Sequence, residues 1–187
     1  MASGFSSRMG TDKLLMKIND KRVIELVIEA ARNSNLDEVI TIYRLKEIGD
    51  IARSYNIKAV YNRKAKLGQS QSVILGIRNS KNHSYMFLVA DQPCINHLII
   101  NELISNYRKN KDKIIIPSHK NEISMPIIFP AKFKQNLLQI KGDKGGRDII
   151  RNYPESIKMV NIDDWNLLKD LDTMEDYKKI IHHDEKQ

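Results

Sequence analysis

The chain has 187 residues, of which 41% are hydrophobic, and this length suffices for one domain with a sizeable core. Its 31 Lys and Arg against 23 Asp and Glu give a formal net charge of +8, and its one Cys excludes a disulfide framework and is typical of a reducing compartment. No run approaches the ~18 apolar residues of a membrane span, so we expect a single cytoplasmic domain over residues 1–187 with no membrane partner. The basic residues are scattered without interleaved aromatic residues, which argues against a nucleic-acid partner and favours phosphorylated substrates.

Helix and strand patterns alternate along the chain. Helical spacing of apolar residues predicts helices over 21–33, 45–55, 69–79, 97–107, 132–140, 146–152 and 174–181. Short β-branched or continuous apolar runs predict strands over 38–43, 57–61, 85–90, 113–117, 125–129 and 156–162. Thr173 and Asp176 have the spacing of a capping box at the start of the last helix. The alternation predicts an α/β fold with a doubly wound, mostly parallel sheet.

Residues 4–13, Gly-Phe-Ser-Ser-Arg-Met-Gly-Thr-Asp-Lys, have the composition of a loop that wraps a polyphosphate. Gly4 and Gly10 let backbone N–H groups approach an anion, because a glycine has no Cβ in the way. Ser6 and Ser7 add hydroxyl donors. Arg8 adds a planar guanidinium and Lys13 a compact positive charge. The segment is neither a Walker A loop nor a Gly-x-Gly-x-x-Gly turn. An ordinary Gly- and Ser-rich turn is the alternative to the nucleotide loop that we favour.

Asp91 directly follows the continuous apolar run at 85–90. Ligands of doubly wound sheets lie outside the carboxyl ends of the strands, so this carboxylate is expected at the ligand edge. Mg²⁺ needs oxygen ligands beside a triphosphate, which makes Asp91 a candidate metal ligand. The alternative is an Asp that only turns the chain before Gln92 and Pro93.

The second half of the chain offers a glycine-rich turn and an aspartate. Residues 142–147, Gly-Asp-Lys-Gly-Gly-Arg, open a predicted helix, so their N–H groups and Arg147 can bind the phosphate of an acceptor. A plain connection between elements is the alternative for this turn. Asp172 precedes the last helix, where it can approach the metal or only brace the end of the chain.

Five segments, in order along nearly the whole chain, together resemble the motifs of the molybdenum cofactor cytidylyltransferases, a family of molybdopterin nucleotidyltransferases. They are residues 1–13, residues 62–72 with Asn62, Gly68, Ser70 and Ser72, residues 88–93, residues 142–147 and residues 170–176. The resemblance implies a Rossmann-like nucleotidyltransferase fold. It also implies that CMP moves from CTP to molybdopterin with release of pyrophosphate, with Mg²⁺ as the cofactor. No protein nucleophile is required, because a phosphate of the acceptor attacks.

The resemblance also assigns roles to residues. With the residues themselves, it predicts catalytic roles for Arg8, Lys13 and Asp91 and metal ligation by Asp91. From its position before the last helix we favour Asp172 as a second metal ligand. Ligand binding is implied for Gly4, Ser6, Ser7, Gly10, Asn62, Gly68, Ser70, Gly142, Asp143 and Arg147.

Two alternatives stay open for the function. Ser3 stands where the cytidylyl enzymes usually have Ala and the guanylyl enzymes Gly, so GTP is the alternative nucleotide. A catalytically idle accessory protein that delivers cofactor to a molybdenum hydroxylase is the other. A carrier needs neither triphosphate nor metal groups, so the combination of Arg8, Lys13 and Asp91 argues against it.

The start of the chain departs from the family pattern. Only Met1, Ala2 and Ser3 precede Gly4. Three residues span at most ~10 Å, less than a strand of about 5–6 residues. We therefore expect most of the first strand to be missing, and either a longer natural chain from an upstream start or a weakly stable product. Ser124-Met125-Pro126 also replaces the usual Gly-x-Pro near the acceptor site.

Overall fold

The computed structural model describes residues 1–4 and 12–184. The strands of this part are β1 (Lys17–Ile18), β2 (Lys21–Arg22), β3 (Ile40–Tyr43), β4 (Lys58–Tyr61), β5 (Tyr85–Phe87), β6 (Ile114–His119), β7 (Glu122–Ile123), β8 (Ile127–Phe129) and β9 (Ile157–Asn161). The helices are α1 (Val23–Arg32), α2 (Lys46–Ser54), α3 (Ser70–Asn79), α4 (His97–Lys109), α5 (Lys134–Gln139), α6 (Arg147–Asn152) and α7 (Met174–Asp184). The predicted helices and strands are all present with ends shifted by a few residues, and the short strands β1, β2 and β7 were not predicted. None of the described helices is long and apolar enough to cross a membrane.

The strands form a mixed arrangement. β3 and β4 pair in parallel, as do β6 and β9. β8 runs antiparallel to both of its neighbours, β5 and β6, and β7 forms an antiparallel pair with the end of β6. The predicted α/β fold is confirmed, and the five-stranded sheet is mixed where a mostly parallel one was predicted, because β8 runs antiparallel to its neighbours.

Helices cover both faces of the sheet, as alternate side chains of β6 demonstrate. Ile114 and Ile116 pack in a core cluster with residues of α3, α5 and α6. Ile115, between them, packs in another cluster with residues of α1 and α4. Successive side chains of a strand point to opposite faces, so the consecutive burial of the first four residues of β6 requires a layer of helices on each side.

Residues 1–3 lie between β3 and the segment after β5. The Ala2 amide donates to the Ile42 carbonyl (2.8 Å) and Ala2 forms an isolated parallel bridge with Tyr43. On the other side, the Met1 nitrogen donates to the Leu88 carbonyl (2.6 Å). A cavity of about 170 Å³ lies between β3, β5 and α1, lined mainly by apolar side chains. Among the described residues, the pairing of residues 1–3 with β3 is therefore one bridge, at Ala2, in the position that a first strand would occupy.

Candidate nucleotide site

The candidate site is a cavity at one edge of the sheet. It is lined by residues that follow β5 and by residues that follow the bridge between Ala2 and Tyr43. Its volume is about 300 Å³, the lower end of the usual range for small-molecule sites. Several predicted site residues line it, among them Ser3, Gly4, Lys13, Gly68, Asp91 and Asp143. Residues that are far apart in the chain therefore meet at one edge of the sheet.

Lys13 and two aspartates form the charged centre of the site. The Lys13 Nζ lies 2.7 Å from Asp91 Oδ2 and 3.0 Å from Asp172 Oδ1. Burial alone would lower the pKa of the Lys13 ammonium, but hydrogen bonds and charge attraction from Asp91 and Asp172 outweigh it and raise that pKa. Lys13 therefore stays protonated and acts as a cation shared by two carboxylates.

Asp172 reaches this centre because the chain before α7 is held against the loop that follows β5. The Leu171 amide donates to the Asp91 carbonyl (2.7 Å). At the start of α7, the Asp176 carboxylate accepts from the Thr173 amide (2.8 Å), and the Thr173 hydroxyl accepts from the Asp176 amide (3.1 Å). The predicted capping box is thus confirmed, and it orients the residue just before it, Asp172.

Gln92, which follows Asp91, is fully buried beneath the same segment. Its Nε2 lies 2.9 Å from the Leu168 carbonyl oxygen and 3.0 Å from Asp170 Oδ1. The Ser124 hydroxyl lies 3.0 Å from the same nitrogen and itself donates to the Leu168 carbonyl at 3.0 Å. The sequence assigned Gln92 to a motif and a turn but to no contact, because none of its partners is near it in the chain.

The nucleotide and acceptor segments touch at two glycines. Gly68 has a φ of +99°, and an added Cβ there would lie 2.5 Å from the carbonyl carbon of Gly142. The Gln69 amide donates to Asp143 Oδ1 (3.0 Å). The Asp143 carboxylate thus holds the turn at Gly68 in place, and its predicted role toward a ligand stays a prediction.

Among the described residues, four of those predicted to bind ligands lie outside the lining of this cavity, and one of them, Gly142, lies against Gly68 instead. Asn62 is buried and its amide is used within the protein, donating to Ser72 Oγ (3.1 Å) and accepting from the Lys64 amide (3.0 Å). Ser70 is buried at the start of α3, and its hydroxyl has no hydrogen-bond partner among the described residues. Arg147 is exposed at the first position of α6. Their roles toward ligands stay predictions.

The other predicted residues of the phosphate loop, Ser6, Ser7, Arg8 and Gly10, lie outside the described residues. The two ends of that segment are described, and Arg44 contacts both. Its Nη2 pairs with Asp12 Oδ2 (2.9 Å) and lies 3.5 Å from the Gly4 carbonyl oxygen. Arg44 directly follows β3, so the rule that ligand sites lie at strand carboxyl ends would have singled it out.

The donor set at the centre suits a divalent cation. The Lys13 ammonium already lies within 3.0 Å of one oxygen from each of two carboxylates, so Asp91 and Asp172 both face the same positive group. No group of three or more His, Cys, Asp or Glu within the described part of the chain could hold a metal. Mg²⁺ commonly binds through one or two carboxylates and completes its octahedron with substrate phosphates and water, so two aspartates fit it when a triphosphate is present.

Comparisons with known proteins give the relatives of this chain and support its fold. The sequence matches the MobA-like NTP transferase domain over residues 1–157. A probable molybdenum cofactor guanylyltransferase of Natranaerobius thermophilus is 33% identical over 119 residues, which cover 63% of this chain and 57% of that protein. The purine catabolism protein PucB of Bacillus subtilis is 25% identical over 193 residues, with 96% of this chain and 93% of that one covered. A nucleotidyl transferase structure from Methanothermobacter superimposes with a TM-score of 0.84 at 20% identity, over 97% of this chain and 94% of that one, and supports the fold.

Proposed function

The chain belongs to the family of MobA-like NTP transferase domains, and from that premise we propose that it transfers CMP from CTP to molybdopterin and releases pyrophosphate. The observation that carries this proposal is that Lys13, which lines the cavity beside Asp91, contacts the carboxylates of both Asp91 and Asp172. A site for a metal-bound triphosphate needs carboxylates for the metal and a cation for the phosphates, and here both occur within 3.0 Å of each other.

The proposed reaction is an in-line displacement at phosphorus. An oxygen of the molybdopterin phosphate attacks the α-phosphorus of CTP. The bond from that phosphorus to the oxygen shared with the β-phosphate breaks, and pyrophosphate leaves with the electron pair. No side chain has to become covalently bound, so the protein contributes position and electrostatic stabilisation.

In this proposal the side chains divide the work by charge. Lys13 binds oxygens of the leaving pyrophosphate, together with donors of the loop that begins at Gly4 and includes Arg8. Asp91 and Asp172 would hold Mg²⁺, which supplies neutralisation of charge on the phosphate oxygens. Without nucleotide, the Lys13 ammonium neutralises part of the negative charge of these two carboxylates. When the nucleotide binds, Lys13 would turn from the carboxylates toward the phosphates.

The acceptor is proposed to bind next to the turn at residues 142–147. Asp143 lines the cavity and is hydrogen-bonded to the segment that carries Gly68, so an acceptor at this turn lies beside the nucleotide. Arg147 is exposed and offers a bidentate donor for the acceptor phosphate. We extend the proposal to a cytoplasmic enzyme whose product passes to a molybdenum hydroxylase.

Guanylyl transfer from GTP is the second candidate, favoured by the name of the relative that is 33% identical. CTP is favoured by the motifs at residues 142–147 and 170–176. The Ser3 hydroxyl donates to the Ile42 carbonyl (3.2 Å), so it presents an acceptor to the cavity and can serve either base. Steady-state pyrophosphate release with molybdopterin, Mg²⁺ and each nucleoside triphosphate decides between them. A larger kcat/KM for GTP would replace the cytidylyl proposal by the guanylyl one.

Asp91→Asn tests the proposed chemistry directly. The substitution keeps the shape of the side chain and removes the charge, so turnover should fall at least ~10²-fold, the scale of losing one electrostatic contact to the transition state. Circular dichroism checks that the variant is folded. A folded variant with nearly normal pyrophosphate release would contradict the role of Asp91.

A further inference from the structure

We propose that Gln92 is a positioning residue, which holds residues 168–172 so that Asp172 stands opposite Asp91 in the site. This inference rests on the proposed function, because it concerns how the second metal-binding carboxylate is brought to the first. The segment lies beyond residue 157, where the match to the family domain ends.

The contacts of Gln92 join two parts of the chain that are far apart in sequence. Its side-chain nitrogen bonds the Leu168 carbonyl (2.9 Å) and Asp170 Oδ1 (3.0 Å), which are 76 and 78 residues further along the chain. The side chain is fully buried. A buried donor that lost both acceptors would leave polar groups unpaired, so the amide favours the docked position of the segment.

The neighbouring residue holds the same segment through its backbone. The Asp91 carbonyl accepts from the Leu171 amide at 2.7 Å. Leu171 is also fully buried, which anchors the segment between Asp170 and Asp172. Asp91 and Gln92 together therefore fix the backbone at Leu171 and Leu168, on either side of Asp170. Asp172 directly follows Leu171, so this hold also limits where Asp172 can lie.

Electrostatics explain why this hold is needed. Docking the segment brings the carboxylates of Asp170 and Asp172 close to that of Asp91, and like charges repel. The Gln92 Nε2 lies 3.0 Å from Asp170 Oδ1, so a hydrogen-bond donor faces one of these carboxylates. The Gln92 amide is thus a neutral donor placed where it offsets part of this repulsion without competing for the cation.

A double-mutant cycle on cation binding tests the assignment. Gln92→Met, Asp172→Asn and the double variant are titrated with Mn²⁺ in the presence of CTP, with free Mn²⁺ measured by electron paramagnetic resonance. Groups that orient metal ligands typically contribute 10–100-fold to metal affinity, so Gln92→Met alone should weaken Mn²⁺ binding ~10-fold or more. If Gln92 acts through Asp172, it should cost less than about 2-fold in the Asp172→Asn background. Equal losses in both backgrounds would overturn the proposal.

Further measurements separate this role from a general loss of structure. Pyrophosphate release should lose kcat in Gln92→Met while the KM for molybdopterin stays unchanged, because the acceptor turn is elsewhere. Ser124→Ala removes the other side-chain donor to the Leu168 carbonyl, and it replaces Gln92→Met in the cycle if thermal melting finds that variant unfolded. A Ser124→Ala effect that is as large in the Asp172→Asn background as in the wild-type protein would overturn the proposal in that case. Failure of the wild-type protein to bind Mn²⁺ with CTP would instead contradict the proposed function.

Discussion

The close approach of Gly68 to the acceptor turn predicts that Gly68→Ala is strongly destabilising. A Cβ at this position would lie 2.5 Å from the Gly142 carbonyl carbon and 2.6 Å from Asp143 Oδ1. The contact with Gly142 is with backbone, which cannot rotate away as a side chain can. The φ of +99° is itself unfavourable for any residue with a Cβ.

The expected magnitude follows from these two effects. A positive φ in a residue other than glycine costs roughly 1–2 kcal/mol. Overpacking against a fixed neighbour costs about 1–3 kcal/mol. Together they remove about 3 kcal/mol from the free energy of unfolding, which lowers the Tm by roughly 6–12 °C for a chain of this size.

Gly142→Ala is the matched control, because Gly142 also has a positive φ, +64°, but no atom lies within 4 Å of its added Cβ. It should lose only the conformational part, about 1–2 kcal/mol. Thermal and urea unfolding of both variants give the difference. Equal losses for the two variants would refute the reasoning, because the contact between the two turns would then contribute nothing.

Three further predictions concern the ligands and the start of the chain. Lys13→Met removes the positive group that competes with a metal ion for Asp91 and Asp172, so it should tighten Mn²⁺ binding in the absence of nucleotide and weaken CTP binding. A loss of both affinities in calorimetric titration would contradict the idea that Lys13 and the metal compete for these carboxylates. Arg147→Ala should weaken molybdopterin binding and leave CTP affinity unchanged, and a variant that loses only CTP affinity would place the acceptor elsewhere. An apolar six-residue extension engineered before Met1 should raise the Tm by pairing with β3 and placing some of its side chains in the adjacent cavity of about 170 Å³, whereas a Gly-Ser extension of equal length should not; equal Tm values would show that this position does not accept a strand.

Local sequence determined the elements of this fold. The helices and longer strands begin and end within a few residues of their predicted positions, since apolar periodicity and turn residues act over short distances. The capping box at Thr173 is confirmed for the same reason, because its partner is three residues away. The position of Asp91 after a buried strand also followed from sequence, because the ligand edge of such a sheet is set by strand direction.

Only the tertiary structure decided which side chains meet. Lys13 and Asp172 are 159 residues apart and touch because the chain after β9 returns to the loop that follows β5. Strand β8 pairs antiparallel with both neighbours, a direction that three apolar residues do not encode. The Gln92 side chain likewise donates a hydrogen bond to the Leu168 carbonyl, on a segment far away in sequence. Short-range sequence patterns specify helices and strands. The contacts above depend on the path of the whole chain, because each joins residues whose spacing in the sequence does not indicate that they meet.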